Sequence, residues 1–189
     1  MLSAALKHAK GDRVRLGFGH DAAGDWVSLT CGDMTVITRP VEATFPDHER
    51  LVPKVAVAAR ADRDTLAQAT ARSAAAVEAK KHAVPHRDGS GTPLQVTMSI
   101  DPAGSVSIAP VLGEHADAVS APAHAAEVRG AAEPMNVLFN AAYLRDALNT
   151  IAGETVTIQL ATPTRAVVFT GANEDAYRHL LMLVRSPQP

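Results

Sequence analysis

The sequence contains a single cysteine, Cys31, among 189 residues, and aromatic residues make up only 4% of the chain. One cysteine excludes an internal disulfide framework and is typical of a reducing compartment such as the cytosol. The apolar content of 47% still suffices for one full domain and part of another. We therefore expect a cytoplasmic protein whose core consists mainly of Ala, Val, Leu and Ile.

The chain also has neither an excess of basic residues nor a long apolar run. Its formal net charge is −2, unlike that of nucleic-acid binders rich in Lys and Arg. No segment approaches the ~18 consecutive apolar residues of a membrane-spanning helix, and residues 1–8 lack the pattern of a signal peptide. We expect no membrane association, and any contact with DNA must come from local basic patches.

An internal repeat indicates the fold. Two segments have the same apolar and glycine positions at the same mutual spacings: Leu2, Leu6, Gly11, Val14 and Leu16 in the first, and Leu144, Leu148, Gly153, Val156 and Ile158 in the second. In each segment the two leucines share one helix face, the glycine ends the helix, and an alternating strand follows. Strand and turn signals downstream extend each copy to a helix–strand–strand–strand unit.

A third helix lies between the two copies. Asp62 or Asp64 can cap its N-terminus, and its apolar positions continue to about Lys81. A hairpin follows around residues 101–104, whereas the Ala/Pro-rich tract 110–134 is either a long loop or an irregular strand pair. The sequence therefore predicts an α+β fold with helices packed on curved antiparallel sheets, residues 1–54 holding one unit and residues 55–189 holding two.

The candidate catalytic and metal-binding motifs all have simpler explanations. Residues 17–24 are rich in glycine but precede a strand, which favours a hairpin loop over a phosphate-binding loop. His82 and His86 are four residues apart, but Pro85 between them excludes a continuous helix that would present both to a metal. Cys31 has no adjacent activating histidine. We expect no enzymatic activity, no metal and no cofactor.

Three further motifs carry a family resemblance. They are Phe45-Pro-Asp-His-Glu-Arg-Leu-Val-Pro53, Phe139-Asn-Ala-Ala-Tyr-Leu144 and Leu181-Met-Leu-Val-Arg185. Taken alone, the first could be an interdomain linker and the third a final core strand. Together, and with the internal repeat, they resemble the second half of domain two and the whole of domain three of the bacterial β sliding clamp, the β subunit of DNA polymerase III.

The resemblance implies a DNA-clamp fold and a non-catalytic processivity factor of DNA replication. In that family a ring encircles double-stranded DNA, and polymerase and clamp-loader peptides enter an apolar pocket between domains two and three. The positions that match this pocket are Pro46, Arg50, Leu51, Asn140, Tyr143, Thr164, Ala166, Leu180, Met182, Leu183, Val184 and Arg185. An aliphatic, Met-containing concavity suits a short hydrophobic peptide.

Basic residues on the three helices would face the DNA backbone if the resemblance extends to function. These residues are Lys7, Lys10, Arg72, Lys80, Lys81 and Arg145. Such contacts are sensitive to salt and carry no sequence information, as sliding requires. The alternative is that they are ordinary solvated positions on helix surfaces.

The chain departs from the family in ways that bear on function. It lacks counterparts of domain one and of the first half of domain two, so it cannot close a ring as the family does. Leu183 stands where the family has proline, and His48 where it usually has tyrosine. We expect self-association through residues 1–54, because an exposed sheet edge favours pairing. The alternative function is a clamp-fold regulatory or scaffolding module, for example behind a helix-turn-helix region of a transcriptional regulator.

Overall fold

The structure, a computed structural model, describes residues 13–44, 47–80, 94–112, 121–172 and 177–184, with only the backbone of His48 and Lys80. Its contacts divide the chain into two compact units, residues 1–46 and 47–189. This division falls earlier in the chain than the predicted boundary after residue 54. The predicted first helix, including Lys7 and Lys10, lies outside the described residues.

The first unit is a three-stranded antiparallel sheet in the order β1-β2-β3. Its strands are β1 (Arg15–Asp21), β2 (Gly24–Cys31) and β3 (Met34–Thr38). The hairpin predicted between β2 and β3 is present, and Gly32 in its turn has a φ of 57°, which is cheapest for a residue without Cβ. The sequence prediction of a loop over residues 17–24 was wrong in its extent, because β1 continues to Asp21.

The glycines of β1 explain that difference. Gly19 lies opposite Trp26 in the β1–β2 register, and a Cβ on Gly19 would overlap the indole ring of Trp26. The glycine therefore makes room for a large side chain that lies across the strand. A glycine-rich segment that would ordinarily indicate a loop is part of a regular strand.

The second unit contains two successive strand–helix–strand–strand–strand repeats after a short 3-10 helix at His48–Leu51. The first repeat comprises β4 (Val57–Asp62), α1 (Arg63–Lys80), β5 (Gln95–Asp101), β6 (Ser105–Pro110) and β7 (Ala123–Arg129). The second comprises β8 (Met135–Asn140), α2 (Ala141–Thr150), β9 (Thr155–Leu160), β10 (Val167–Thr170) and β11 (Arg178–Leu181).

The eight strands of this unit form one antiparallel sheet in the order β11-β10-β9-β4-β7-β6-β5-β8. The predicted α+β class, with helices on curved antiparallel sheets, is confirmed. Each repeat begins with one strand more than the sequence indicated, namely β4 or β8. These two strands join the repeats, since β4 pairs with β9 and β8 pairs with β5.

A side chain caps the N-terminus of each helix. Asp62 accepts a bond from the backbone amide of Thr65 at 2.7 Å, so Asp62 caps α1. The side chain and backbone of Thr65 favour the ionised carboxylate and hold the pKa of Asp62 below its ordinary value of 3.8. Asn140 caps α2 in the same manner, through its side-chain oxygen and the amide of Ala142 at 2.9 Å.

The end of α2 is linked to the start of α1. The C-cap residue of α2, Ile151, is extended, and its carbonyl accepts a bond from the guanidinium of Arg63 at 3.5 Å. A cation at the C-terminal end of a helix is favourable because it complements the exposed carbonyls. Gly153 has a φ of +91°, but it lies beyond the C-cap, in the turn that leads to β9.

The core of the second unit lies between the sheet and its two helices. The largest fully buried side chains include Phe139, Phe169, Leu66, Met98 and Ile100. Phe139 of β8 and Phe169 of β10 both belong to the second repeat, and their ring centroids are 6.0 Å apart, within the range of favourable aromatic pairs. Leu66, Met98 and Ile100 of the first repeat belong to the same buried cluster as these two rings, so the two repeats share one core.

Candidate peptide site and helix surface

The segment after β11 connects to the opposite end of the sheet order. The amide of Val184 donates a hydrogen bond to the carbonyl of Leu138 at 2.9 Å, and Leu138 belongs to β8. Because every neighbouring pair of strands is antiparallel, β11 and β8 run in opposite directions. Residues 182–184 therefore run antiparallel to β8, with Met182 nearer than Val184 to the Asn140 end of that strand.

The strand register brings Ala166 to the same place. Val167 lies opposite Leu181 in the β10–β11 pair, so continuation of this register by one residue places Ala166 opposite Met182. Ala166 is buried, whereas the Met182 side chain is 63% exposed. Leu183 is half-buried and packs against the core. Leu183 thus anchors the segment to the core, whereas Met182 faces solvent.

The start of α2 supplies the neighbouring polar and aromatic groups. The capping bond to Ala142 occupies the side-chain oxygen of Asn140 and leaves its amide nitrogen for another acceptor. Tyr143 is 60% exposed, although α2 buries Leu144 and Leu148 on its other face. An exposed aromatic side chain and an exposed methionine are both groups on which an apolar partner can gain buried area.

A second group of predicted site residues lies where β4 begins and β9 ends. Thr164 is in the β9–β10 turn, 3.2 Å from Thr162 between their hydroxyl oxygens. Arg50 and Leu51 belong to the 3-10 helix before β4; Arg50 pairs with Asp47 at 3.2 Å, and Leu51 is 54% exposed. Pro46 and Arg185 lie outside the described residues.

Seven of the predicted pocket residues lie on elements that contact one another: the end of β8 with the start of α2, the residue before β10, and β11 with the segment after it. We call this group the C-terminal edge; it consists of Asn140, Tyr143, Ala166, Leu180, Met182, Leu183 and Val184. Sequence reasoning missed Leu138, whose carbonyl holds the segment in place. The alternation of Val137 and Phe139, both buried, is the signal that would have identified β8 as a strand and Leu138 as a residue on its other face.

Two of the basic residues predicted to face DNA have described side chains, and we call the exposed faces of α1 and α2 that carry them the helix surface. Arg72 on α1 and Arg145 on α2 are both exposed, and the two helices pack against each other. Between them lies a cavity of about 280 Å³ lined by Arg145, Glu78, Leu94 and several alanines. Glu78 adds an acidic group beside Arg145. Lys81 lies outside the described residues, as does the side chain of Lys80.

A polar concavity of about 300 Å³ lies on the strands β4, β7 and β9. Arg60, Glu127 and Arg129 contribute its charges. Arg129 forms an ion pair with Glu127, and Arg60 lies opposite Glu127 in the β4–β7 register. Its guanidinium also reaches the Thr155 hydroxyl at 3.4 Å. The sequence had not indicated this feature, because its charges come from strands far apart along the chain.

No group of three or more His, Cys, Asp and Glu side chains that could hold a metal ion occurs among the residues that the structure describes. Neither of the helices described is both long and apolar enough to span a membrane.

Comparison with known proteins decides the family. Residues 89–185, about half of the chain, match the family described as DNA polymerase III beta subunit, C-terminal domain. The chain belongs to this family. The match covers the hairpin β5–β6, both strands that flank α2, and the C-terminal edge. A search among curated proteins found no match.

Solved structures of β clamps share the fold. The Caulobacter crescentus polymerase III β structure is 22% identical, with a TM-score of 0.69 over 98% of this chain and 44% of that one. The Bacillus subtilis sliding clamp is 20% identical, with a TM-score of 0.70 over 92% and 41%. A Pseudomonas aeruginosa clamp bound to griselimycin is 21% identical, with a TM-score of 0.63 over 85% and 39%. The present chain therefore spans less than half the length of each of those clamps.

Proposed function

We propose that this chain is a non-catalytic, sliding-clamp-like module that binds short apolar peptides at its C-terminal edge, such as those of polymerase and clamp-loader subunits. The observations that carry the proposal are the exposure of Met182 and Tyr143 and the Val184–Leu138 hydrogen bond, which holds the segment after β11 on the strand that leads into α2. The family match includes this edge. A related clamp from Pseudomonas aeruginosa holds griselimycin, so a clamp fold can accommodate a bound ligand.

The physical basis is apolar burial on a surface that is already formed. Leu183 packs against the core and Asn140 caps α2, so little of the edge has to become ordered when a peptide binds. A preformed surface lowers the entropic cost of association. Met182 can adapt its unbranched side chain to different partner residues, and Tyr143 offers a rigid aromatic face.

The test is fluorescence anisotropy with a labelled, polymerase-derived clamp-binding peptide. We expect saturable binding by the wild-type chain and at least tenfold weaker binding by Tyr143→Ala and by Met182→Asp. The matched control is Tyr177→Ala, because Tyr177 is also an exposed tyrosine but precedes β11 at its other end. Lack of saturable binding by the wild type, or equal loss in the control, would contradict the proposal.

We further propose that the helix surface contacts the backbone of double-stranded DNA without sequence preference. The support is the exposure of Arg72 and Arg145 on two packed helices. Replacement of both by glutamate should weaken binding to a duplex and flatten its dependence on salt concentration. Arg39→Glu, on the first unit, serves as the control. Peptide binding without measurable DNA binding would instead favour the alternative of a regulatory or scaffolding module.

A further inference from the structure

The first strand of the chain has the pattern of a core strand but the exposure of a surface strand. Leu16 corresponds to Ile158 in the internal repeat, and continuation of the alignment by two residues matches Phe18 with Leu160. Ile158 and Leu160 are both fully buried. Leu16 and Phe18 are 58% and 74% exposed. Equivalent positions on equivalent strands thus lie in opposite environments.

The equivalent strands also have a neighbour that β1 lacks. The strand that follows the helix of each repeat in the second unit is paired on both edges: β5 with β6 and β8, and β9 with β10 and β4. Among residues 13–44, β1 pairs with β2 alone. Its second edge therefore occupies the position at which β5 and β9 each accept another antiparallel strand.

The hairpin register determines which backbone groups this open edge presents. Asp21 and Gly24 close the β1–β2 hairpin across a two-residue turn, and such a closing pair exchanges its amide and carbonyl bonds. Alternate residues from Asp21 backwards therefore point their backbone groups at β2. The intervening residues, Leu16, Phe18 and His20, point theirs towards the open edge.

We propose that a second copy of this chain pairs with β1 in an antiparallel arrangement, with Phe18 opposite Phe18 across a two-fold axis. In this register Arg15 lies opposite Asp21 of the second copy, and this ion pair occurs twice. Arg15 and Asp21 are both exposed. Opposite charges directly across two strands stabilise their pairing, and this complementarity favours a second copy over a partner without it.

The same register satisfies the backbone groups of the open edge and sets apolar side chains of the two copies beside one another. Phe18 would exchange both backbone bonds with its symmetry mate, and Leu16 would do so with His20 of the second copy. The two Phe18 side chains, one from each copy, would lie side by side, and such an aromatic pair stabilises an interface by more than its buried area alone predicts. Such an interface is isologous, as most homodimer interfaces are, and the proposal is independent of the peptide site.

Charge reversal tests the register through sedimentation equilibrium of the full chain. Arg15→Asp and Asp21→Arg each place like charges opposite one another twice, and each should weaken the dimer about tenfold. The double variant restores opposite charges and should dimerise like the wild type. A mixture of the two single variants should form heterodimers in preference to either homodimer. Arg39→Asp and Asp33→Arg, beside β3 at the other edge of the sheet, are controls expected to change nothing.

Disulfide trapping provides a second measurement in a Cys31→Ala background. Phe18→Cys puts the introduced thiols opposite each other, at a Cα separation of about 5.5 Å that a disulfide spans. Leu16→Cys puts them about 14 Å apart along the strands, beyond the reach of a disulfide. Oxidation should link the first variant into dimers and leave the second monomeric on a non-reducing gel.

Each result of these two experiments either supports the proposed dimer or contradicts it. A monomeric wild type at micromolar concentration overturns the proposal, as does a dimer that both single charge reversals leave unchanged. A dimer that is trapped through Leu16→Cys but not through Phe18→Cys overturns the register. Restoration of dimerisation by the double charge reversal, together with trapping through Phe18→Cys, supports both the occupant and the register.

Discussion

The backbone amide of Val184 donates a hydrogen bond to the carbonyl of Leu138, 2.9 Å away, and this bond joins two parts of the chain that end the sheet order on opposite sides. β11 and β8 are the terminal strands of that order. The C-terminal edge thus depends on a contact between residues more than forty positions apart. Stability of the fold and formation of the candidate site are therefore coupled at this bond.

Replacement of Val184 by proline removes the donor of this bond. We expect Val184→Pro to lower the free energy of unfolding by about 1 kcal/mol more than Val184→Ala, which retains the amide. It should also weaken peptide binding, because Met182 and Leu183 lose their anchor. Urea denaturation followed by circular dichroism measures the stability difference. Equal stability of the two variants would show that the hydrogen bond contributes nothing to the fold.

The Asn140 cap allows stability and peptide binding to be separated. Asn140→Ala removes the bond to the amide of Ala142 and should cost about 1 kcal/mol. Asn140→Asp retains a capping acceptor but lacks the amide nitrogen, so it should keep the stability and lose peptide affinity. The comparison uses thermal denaturation together with peptide anisotropy. If Asn140→Asp binds the peptide as tightly as the wild type, the amide nitrogen has no part in the site.

The predicted elements that proved correct are those with strong local signals. The β2–β3 hairpin has a clear turn, and α1 begins at one of the two aspartates that could cap it. Strands β4 and β7 lacked such signals, because their sequences Val-Ala-Ala-Arg-Ala-Asp and Ala-His-Ala-Ala-Glu-Val-Arg are rich in alanine, a weak strand former. Both are nevertheless strands because each is paired on two sides, β4 with β7 and β9, and β7 with β4 and β6. This pairing outweighs the weak strand propensity of alanine.

The candidate site was predictable only to the extent that motifs resemble a family. The resemblance identified Tyr143 and Met182, and the structure shows that both are exposed. Physical reasoning from local patterns could not have brought Ala166 beside Met182, because this proximity depends on the β10–β11 register. The Val184–Leu138 bond likewise depends on the curvature of the whole sheet.

Acid should weaken the cap at the start of α1. The pKa of Asp62 is below 3.8 in the folded chain because Thr65 hydrogen-bonds to the carboxylate. Because this pKa is lower in the folded than in the unfolded chain, the carboxylate stabilises the fold at pH values above the unfolded-state pKa. This stabilisation is lost as the pH falls through the folded-state pKa. We therefore expect Asp62→Asn to lower the melting temperature at pH 7 and to differ less from the wild type below pH 3.8. A difference that stays constant between pH 7 and pH 3 would contradict this mechanism.

Two glycines with positive φ offer a matched test of close packing in the second unit. Gly130 has a φ of +78° and Gly153 a φ of +91°, so alanine is strained at both positions by about 1 kcal/mol. A Cβ at Gly130 would also overlap the carbonyl oxygen of Ala56, whereas nothing lies within 4 Å of a Cβ at Gly153.

The neighbour of Gly130 has little freedom to move away. The amide of Ala56 donates to the carbonyl of Leu160 at 3.0 Å, which ties the segment before β4 to the end of β9. We expect Gly130→Ala to cost about 3 kcal/mol and Gly153→Ala about 1 kcal/mol, since overpacking adds to backbone strain only at the first site. Chemical denaturation of both variants under identical conditions measures the difference. Equal losses would mean that the segment at Ala56 yields freely, and that backbone strain alone explains the requirement for glycine.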